Sequence, residues 1–263
     1  MIDTHCHLTY PGLRERVAEV IAAAHESGVD RMISVGTDPD DAARAIELAE
    51  RFDGIYVSCG VHPHHAGKWR DTKAMTAALR ELSEHPKVVA LGEMGLDYHY
   101  DDPPQEVQQR VFAAQLELVR DFRGPAIIHN REATEDVVRM IRDANLPGAG
   151  ERFVFHCFTV SPGRGPEEID AILDLGSMVS FTGIVTFRNA TAIAEASDRV
   201  PLDRLMVETD SPYLAPEPHR KVRPNEPRYV VHVAEFLAKR RNMSFDDFTT
   251  TVDANAERFF RLS

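Results

Sequence analysis

The chain has 263 residues, of which 43% are hydrophobic and 27% are charged, and its formal net charge is −12. This composition is typical of a folded globular protein, and no apolar run reaches the ~20 residues that a membrane-spanning helix requires. The negative charge argues against nonspecific binding to duplex DNA through a broadly basic surface. It does not exclude a nuclease, because divalent cations can supply positive charge where a phosphate binds.

Strand-like and helix-like segments alternate along the chain. Short apolar runs, of the kind found in parallel sheets covered by helices, predict strands at 1–4, 31–35, 54–60, 88–92, 126–129, 153–156, 177–181 and 205–207. Apolar residues at helical spacing predict helices at 13–26, 38–52, 72–84, 105–121, 134–144, 166–175, 190–196, 228–240 and 244–260. Asp38 is a typical helix N-cap, followed by Pro39 at the first helical position.

This alternation predicts an α/β fold, a TIM (β/α)8 barrel that spans residues 1–263 as a single domain. The helices within 228–263 are expected to close it. A doubly wound open sheet is the alternative, but it gives no reason for acid and imidazole side chains to follow six different strands.

Three cysteines, Cys6, Cys59 and Cys157, lie in or beside predicted strands, and their odd number disfavours a disulfide framework. With no secretory leader at the N-terminus, we expect a cytoplasmic protein. Cys6 and Cys157 neighbour candidate metal ligands. Because adjacent strand residues face opposite sides, we expect both thiols to point away from the pocket.

Six side chains of metal-ligating type lie at or just past the ends of these strands. They are His5, His7, Glu93, His129, His156 and Asp210. In a TIM barrel the C-terminal ends of the strands surround one pocket, so residues far apart in sequence meet there. A pair of divalent cations at this rim is the simplest reason for such a set.

The spacing within this set suggests individual roles. His5 and His7 lie on one face of a strand, about 6.5–7 Å apart along the backbone, so both can reach one ion. Glu93 is the candidate bridge, because one carboxylate can hold two cations with its two oxygens. Gly92 and Gly95 beside it are expected to allow a close approach to the pocket.

The last strand is followed by two acids that share a face at two-residue spacing. Asp210 is the candidate ligand or general base on a metal-bound water. Glu208 either orients a ligand histidine or binds an extra cation. A structural role for Glu208 is nearly as well supported.

Other residues are candidates for substrate binding. His62 and His64 flank Pro63 and are expected to hold substrate or donate a proton to the leaving group, with a surface histidine cluster as the alternative. Arg131 can hold a phosphate bidentately. The basic, proline-stiffened loop 219–228, which contains Arg223, is expected to contact phosphate.

Six motifs in order and spacing resemble the TatD family of metal-dependent hydrolases. They are DTHCHL (3–8), GVHPH (60–64), GEMGLD (92–97), HNRE (129–132), FHCF (155–158) and ETDSPYL (208–214). The resemblance implies an amidohydrolase-superfamily barrel with Mg²⁺- or Mn²⁺-supported DNase activity, often at a 3′ end. It also implies metal binding at the six residues named above, with His62 near the scissile phosphate. The segment 159–166 departs from the family pattern and is expected to reshape the pocket mouth.

The resulting hypothesis is phosphodiester hydrolysis by water activated between two divalent ions. One ion is expected at His5, His7, Glu93 and Asp210, and the other at Glu93, His129 and His156. Mg²⁺ or Mn²⁺ is the expected working metal, although imidazole-rich ligation also suits bound Zn²⁺. The expected substrate is DNA, degraded 3′ to 5′ from single-stranded ends by a monomer, while RNA and endonuclease action stay open.

Two other functions are weighed against this hypothesis. The first is hydrolysis of a small amide, lactone or phosphoester on the same barrel. Related amidohydrolases often bridge their metals with a carboxylated lysine, and Glu93 stands in that place here. The remote alternative is a non-catalytic metal-binding protein, which would require coordination with no position open for water.

Overall fold

The fold is a closed barrel of parallel strands. The computed structural model describes residues 1–148 and 150–262, within which eight parallel strands pair in sequence order. They are β1 (Ile2–Cys6), β2 (Arg31–Gly36), β3 (Ile55–Cys59), β4 (Val88–Asp97), β5 (Ala126–Arg131), β6 (Phe153–Phe155), β7 (Met178–Phe181) and β8 (Leu205–Val207). The Thr4 hydroxyl donates to the Val207 carbonyl at 3.0 Å, and Cys6 forms a parallel bridge with Ser211. The predicted TIM barrel is confirmed, and the open sheet is wrong.

Helices alternate with the strands, as predicted. They are α1 (Val17–Glu26), α2 (Pro39–Arg51), α3 (Thr72–Ser83), α4 (Gln105–Asp121), α5 (Thr134–Asp143), α6 (Asp170–Leu173), α7 (Thr191–Arg199), α8 (Val230–Arg240) and α9 (Phe245–Phe260). Asp38 caps α2 by accepting the Asp41 backbone N–H at 2.9 Å. The helix expected over 166–175 is instead a 3₁₀ turn, Pro166–Ile169, followed by the short α6.

Two strands run further than their apolar runs suggest. β4 continues to Asp97 and β5 to Arg131, with Gly95 paired to His129. The two strands approach closely here, because a Cβ on Gly95 would lie 2.0 Å from the His129 carbonyl oxygen and one on Gly92 would lie 2.4 Å from a β5 carbonyl. The glycines therefore serve strand pairing, not the expected approach to the pocket. Their positive φ angles, +146° at Gly95 and +108° at Gly92, also favour glycine.

The C-terminal helix α9 covers the N-terminal end of the barrel. Its Ala256 and Phe260 pack among the apolar side chains of the barrel interior. The Asn255 side-chain amide donates to the Leu202 and Leu205 carbonyls at 2.7 and 3.0 Å. That residues 1–263 form one domain stays a prediction. Among the described helices, none combines the length and apolar character needed to cross a bilayer.

Candidate metal centre

A cavity of about 960 Å³ opens at the C-terminal ends of the strands. Its lining includes His7, Glu93, His129, His156 and Asp210, and His5 lies directly beside them with no exposed surface. The structure therefore brings together all six side chains of ligating type that the sequence singles out. They divide into two groups on either side of Glu93.

The first group joins the start of the chain to its last barrel strand. His5 Nε2 lies 3.3 Å from His7 Nε2, and Asp210 Oδ1 lies 3.7 and 3.3 Å from these two nitrogens. The Asp210 N–H donates to the His5 carbonyl at 2.9 Å, which fixes the two segments against each other. Asp210 adopts φ +52°, a left-handed conformation that aspartate tolerates better than most residues.

The second group lies on β5 and after β6. His129 Nδ1 and His156 Nε2 lie 2.6 and 2.7 Å from Glu93 Oε1. The other oxygen of Glu93, Oε2, lies 3.5 Å from His5 Nε2 in the first group. One carboxylate thus presents a separate oxygen to each group, which is the arrangement required of a bridging ligand.

The electrostatics keep both carboxylates of this centre ionised. Burial raises the pKa of Glu93, but the charge of His156, the hydrogen bonds from His129 and His156, and the other nearby imidazole together outweigh it and hold the pKa well below its usual value. Burial also opposes ionisation of Asp210, and the hydrogen bond from His7 together with the charge of His5 lowers its pKa. Buried, ionised oxygens facing imidazole nitrogens form a donor set that fits divalent transition-metal ions.

Asp97 is a site residue to which the sequence reasoning assigned no role. It is buried, and its Oδ2 accepts hydrogen bonds from His129 Nε2 at 3.1 Å and His64 Nε2 at 3.0 Å. These bonds, opposing the effect of burial, depress the pKa of Asp97 far below its usual value. With Nε2 directed at Asp97, Nδ1 of His129, which lies 2.6 Å from Glu93 Oε1, is the ring nitrogen that could bind a metal ion. The sequence feature that could have identified Asp97 is the two-residue spacing of Glu93, Gly95 and Asp97, which places them on one face of β4.

Glu208 lies buried behind His156. Its Oε1 accepts the Cys157 backbone N–H at 2.6 Å and lies 3.5 Å from His156 Nδ1, and its Oε2 accepts the Ser180 hydroxyl at 2.6 Å. With its oxygens engaged by protein donors, Glu208 resembles an orienting group more than a ligand of an extra cation.

The two cysteines next to the ligating residues behave differently. Cys6 packs in the core and donates to the Ile33 carbonyl, as expected. Cys157 is one of the residues that line the cavity, and its Sγ lies 3.4 Å from the Thr182 hydroxyl, so the expectation that its thiol points away stays a prediction. Because β6 ends at Phe155 and Cys157 adopts φ +46°, strand alternation does not determine its direction.

The candidate substrate residues are only partly brought together. His62 Nδ1 accepts the His64 backbone N–H at 3.0 Å, so its Nε2–H points into the cavity, 3.4 Å from Glu93 Oε1. His64 and Arg131 also line the cavity. Arg223 is exposed, lies outside the cavity lining, and donates to the Arg220 and Val222 carbonyls. Its role in substrate binding stays a prediction.

Three tyrosines line the cavity that sequence reasoning missed. Tyr10 stacks on His7 with ring centroids 4.6 Å apart, and Tyr213 packs edge-on against Tyr10 at 6.3 Å. Tyr100 lies across the cavity, and the Arg131 guanidinium sits 5.4 Å from its ring centroid. Tyr100 and Tyr213 are each 51% exposed, which leaves ring faces open to solvent at the mouth.

The atypical segment 159–166 contributes one residue, Thr159, to the cavity lining. Ser161 is tied back to Glu168, which accepts its backbone N–H at 2.7 Å and its hydroxyl at 2.6 Å. The segment therefore borders the mouth and is held by side-chain bonds to the turn that follows it.

Known proteins are similar to this one over nearly the whole length of the chain. The sequence profile of the family described as TatD related DNase matches residues 2–261. A metal-dependent hydrolase of Bacillus subtilis named YabD is 41% identical over 263 residues, covering 100% of both chains. The protein named 3′-5′ ssDNA/RNA exonuclease TatD from Edwardsiella piscicida is 36% identical over 272 residues, again covering 100% of both. The crystal structure of the Escherichia coli TatD homologue YJJV superposes with a TM-score of 0.91 at 28% identity, covering 100% of this chain and 98% of that one.

Proposed function

The chain belongs to the family of TatD related DNases and is a metal-dependent hydrolase, and on that premise we propose that it is a nuclease that removes nucleotides from single-stranded 3′ ends of DNA. The alternative of a non-catalytic metal-binding protein is not retained. The observation that carries the proposal is Glu93, whose two oxygens face two separate groups of ligating side chains in an open cavity.

The proposed cofactors are two divalent ions, one held by His5, His7, Glu93 and Asp210 and the other by Glu93, His129 and His156. These residues fit such ions. The ligand atoms of His5, His7 and Asp210 lie within 4.8 Å of one another. In the other group, His129 Nδ1 and His156 Nε2 lie 3.2 Å apart and 2.6 and 2.7 Å from Glu93 Oε1. When bound, the ions lower the pKa of water and neutralise charge on phosphoryl oxygens. Mg²⁺ or Mn²⁺ is proposed as the working metal, with Zn²⁺ as a further candidate because the site is rich in imidazole.

Two residues are proposed to act on the reacting atoms. The Asp210 carboxylate orients the attacking water and accepts its proton. His62 contacts the phosphate: since its Nδ1 accepts a backbone N–H, the Nε2–H is free to donate to a phosphate oxygen. This tautomer supports phosphate binding more than protonation of the leaving group, because a neutral imidazole is a poor acid.

The rim of the cavity supports a single-stranded substrate. The exposed rings of Tyr100 and Tyr213 can stack on unpaired bases, which is how proteins commonly hold single strands. Arg131 and His64 lie on the same rim and can contact phosphates. A chain of net charge −12 has little basic surface for a duplex, which favours recognition of a strand end. We propose a monomer, because the candidate metal centre needs no residue from a second copy. We place it in the cytoplasm because Cys6, Cys59 and Cys157 are free.

Labelled oligonucleotides test this proposal directly. Single- and double-stranded DNA and single-stranded RNA, labelled at either end, are incubated with purified protein in Mg²⁺, Mn²⁺ or Zn²⁺. We expect a ladder from 5′-labelled single-stranded DNA and immediate release of mononucleotide from the 3′-labelled strand. Cleavage confined to small amides, lactones or phosphoesters would favour the other amidohydrolase activity. Uniform internal cuts would contradict the exonuclease part alone.

Asp210→Asn is the variant that tests the site. Asparagine also tolerates the left-handed conformation, so the backbone is preserved. We expect kcat to fall by about 10²–10⁴-fold, the range for loss of a positioned general base, with unchanged circular dichroism. Asp174→Asn, at an exposed position after α6, is the matched control and should cleave normally. Unchanged turnover in Asp210→Asn would remove the role assigned to this carboxylate.

A further inference from the structure

A second cavity, of about 550 Å³, lies at the opposite end of the barrel from the metal centre. Its lining includes Pro125, directly before β5, and Met178, the first residue of β7. Arg152 and Arg204, which also line it, directly precede β6 and β8. The cavity therefore lies at the N-terminal ends of strands β5–β8, where the proposed chemistry does not take place.

This cavity is strongly basic although the chain is acidic. Five arginines line it against two acids, Glu151 and Asp203. The five are Arg123, Arg152, Arg204, Arg258 and Arg261. Within residues 1–148 and 150–262, none of these guanidinium groups has a carboxylate oxygen within 4.0 Å. Such a concentration of uncompensated charge is unexpected in a protein with a net charge of −12.

Helix capping explains part of this cluster. Arg152 donates to the Val119 and Gly124 carbonyls, both at 2.9 Å, at the end of α4. Arg204 donates to the Leu173 carbonyl at 2.8 Å, at the end of α6. Cations are favoured at helix C-termini, which face this end of the barrel. Their stabilising contacts with these helix ends are therefore enough to explain the presence of these two arginines.

Arg258 is also engaged, since it donates to the Asp203 carbonyl at 2.9 Å and to Asn255 Oδ1 at 3.0 Å. Arg123 and Arg261 have no such structural explanation. The guanidinium groups of Arg123 and Arg261 make no hydrogen bond with any described residue, and both side chains are exposed at the cavity. Arg261 also acts on its neighbour, because burial and the charge of Arg261 together lower the pKa of Arg152. Among the residues that the structure describes, no carboxylate lies within 4.0 Å of these guanidinium groups to offset the repulsion, and an external anion would relieve it.

The shape and chemistry of the cavity narrow the class of anion. The planar guanidinium fork matches phosphate oxygens bidentately. Met178 and the ring of Phe259 form an apolar part of the lining, against which a base or similar group can pack. Cavities that hold small ligands are about 300–1,000 Å³, and this one lies within that range.

We propose that this arginine-lined cavity binds a phosphate-bearing ligand of nucleotide size, either a free nucleotide or the terminal nucleotide of a strand. The proposal is independent of the nuclease activity, since the two cavities lie at opposite ends of the barrel.

Calorimetric titration tests the site in the full-length protein after removal of metal with EDTA, so that the metal centre does not hold phosphate. The probes are inorganic pyrophosphate, deoxyadenosine 5′-monophosphate and a 5′-phosphorylated oligothymidylate, at low ionic strength. The test variant is the double substitution Arg123→Ala with Arg261→Asn. Neither side chain donates a hydrogen bond to a residue that the structure describes, and asparagine suits the φ of +54° at position 261. Arg142→Ala with Lys239→Ala removes the same charge from exposed positions outside the cavity.

We expect the wild type and the control to bind at least one probe, and the test variant to bind it at least tenfold more weakly with an unchanged urea midpoint. Binding of the mononucleotide identifies a free nucleotide as the source, and binding of the oligonucleotide alone identifies a strand end. The proposal is overturned if the wild type binds none of the probes at 10 mM, or if the test variant and the control bind equally well. Should the double variant unfold, Arg123→Gln alone must still show weaker binding than Arg142→Gln.

Discussion

Replacing Asp97 by asparagine should weaken metal binding without removing any proposed ligand. Asp97 Oδ2 accepts hydrogen bonds from His129 and His64 at 3.1 and 3.0 Å. An asparagine can place its neutral carbonyl oxygen in the same position, so both bonds can persist but lose their charge assistance. A hydrogen bond to a charged group contributes about 1.5–3 kcal/mol and a neutral one about 0.5–1.5 kcal/mol.

The difference is about 1–1.5 kcal/mol per bond and about 2–3 kcal/mol over the two bonds. Part of it concerns the orientation of His129 as a ligand. Since about 1.4 kcal/mol corresponds to a tenfold change in affinity, we expect Mn²⁺ to bind about 10–100-fold more weakly, which is the usual effect of losing a partner of a ligating histidine. The assay is calorimetric titration of EDTA-treated protein with Mn²⁺, followed by the Mn²⁺ dependence of the cleavage rate. At saturating Mn²⁺ much of the rate should return.

Asp136→Asn is the matched control. Asp136 is also a hydrogen-bonded carboxylate in this part of the barrel, accepting from the Tyr98 hydroxyl at 2.8 Å, but it touches none of the proposed ligands. Its substitution should leave Mn²⁺ affinity unchanged. If Asp97→Asn binds Mn²⁺ within twofold of the wild type, Asp97 does not orient His129, and the reasoning from the two hydrogen bonds fails.

Two further predictions test strand pairing and the cavity mouth. Gly95→Ala should lower the free energy of unfolding by about 2–5 kcal/mol in urea titrations, because it adds a clash with a β5 carbonyl to an unfavourable backbone conformation. The control is Gly28→Ala, where φ is +79° and no atom lies within 4 Å of the added Cβ, so that only the backbone cost is measured. Equal losses of stability in the two variants would refute the clash. Tyr213→Ala should raise KM for single-stranded DNA by about 5–100-fold, the equivalent of one lost stacking contact. Tyr213→Phe should keep a KM near that of the wild type, and Tyr213→Ala should still hydrolyse the small substrate methyl p-nitrophenyl phosphate at a rate near that of the wild type. A similar rise in KM for Tyr213→Phe would show that the hydroxyl, and not the ring, binds the strand.

The barrel and the convergence of the six side chains of ligating type could be predicted, because both follow from the periodicity of apolar residues and the order of the strands. Apolar runs separated by helical patterns define the strands. Since the C-terminal ends of the strands of a TIM barrel surround one pocket, His129 and Asp210 both reach it although they are far apart in sequence. Local deviations of the backbone were not predictable in the same way. Cys157 adopts φ +46°, and nothing in the pattern FHCF indicates a left-handed residue there.

Residues at the margins of an element were missed for a different reason. Asp97 lies five positions beyond the end of the apolar run at 88–92, so a strand bounded by hydrophobicity excludes it. Tyr10 and Tyr100 come from loops, whose course depends on tertiary contacts. Arg223 shows the opposite error: a charge run predicts where cations are, but not that a guanidinium folds back onto neighbouring carbonyls.

The extension of β4 joins the fold to the chemistry. On one face of this strand, Glu93 supplies an oxygen to each ligating group, Gly95 lets β5 approach, and Asp97 fixes the ring of His129 from its other nitrogen. His129 is therefore held by β4 at both ring nitrogens, and its position depends on the close pairing that Gly95 permits. A substitution at Gly95 that displaces β5 would shift His129 away from Glu93 and Asp97 together. The effects of Gly95→Ala and Asp97→Asn on Mn²⁺ affinity should consequently be less than additive in a double-mutant cycle, since either change alone already releases the same imidazole.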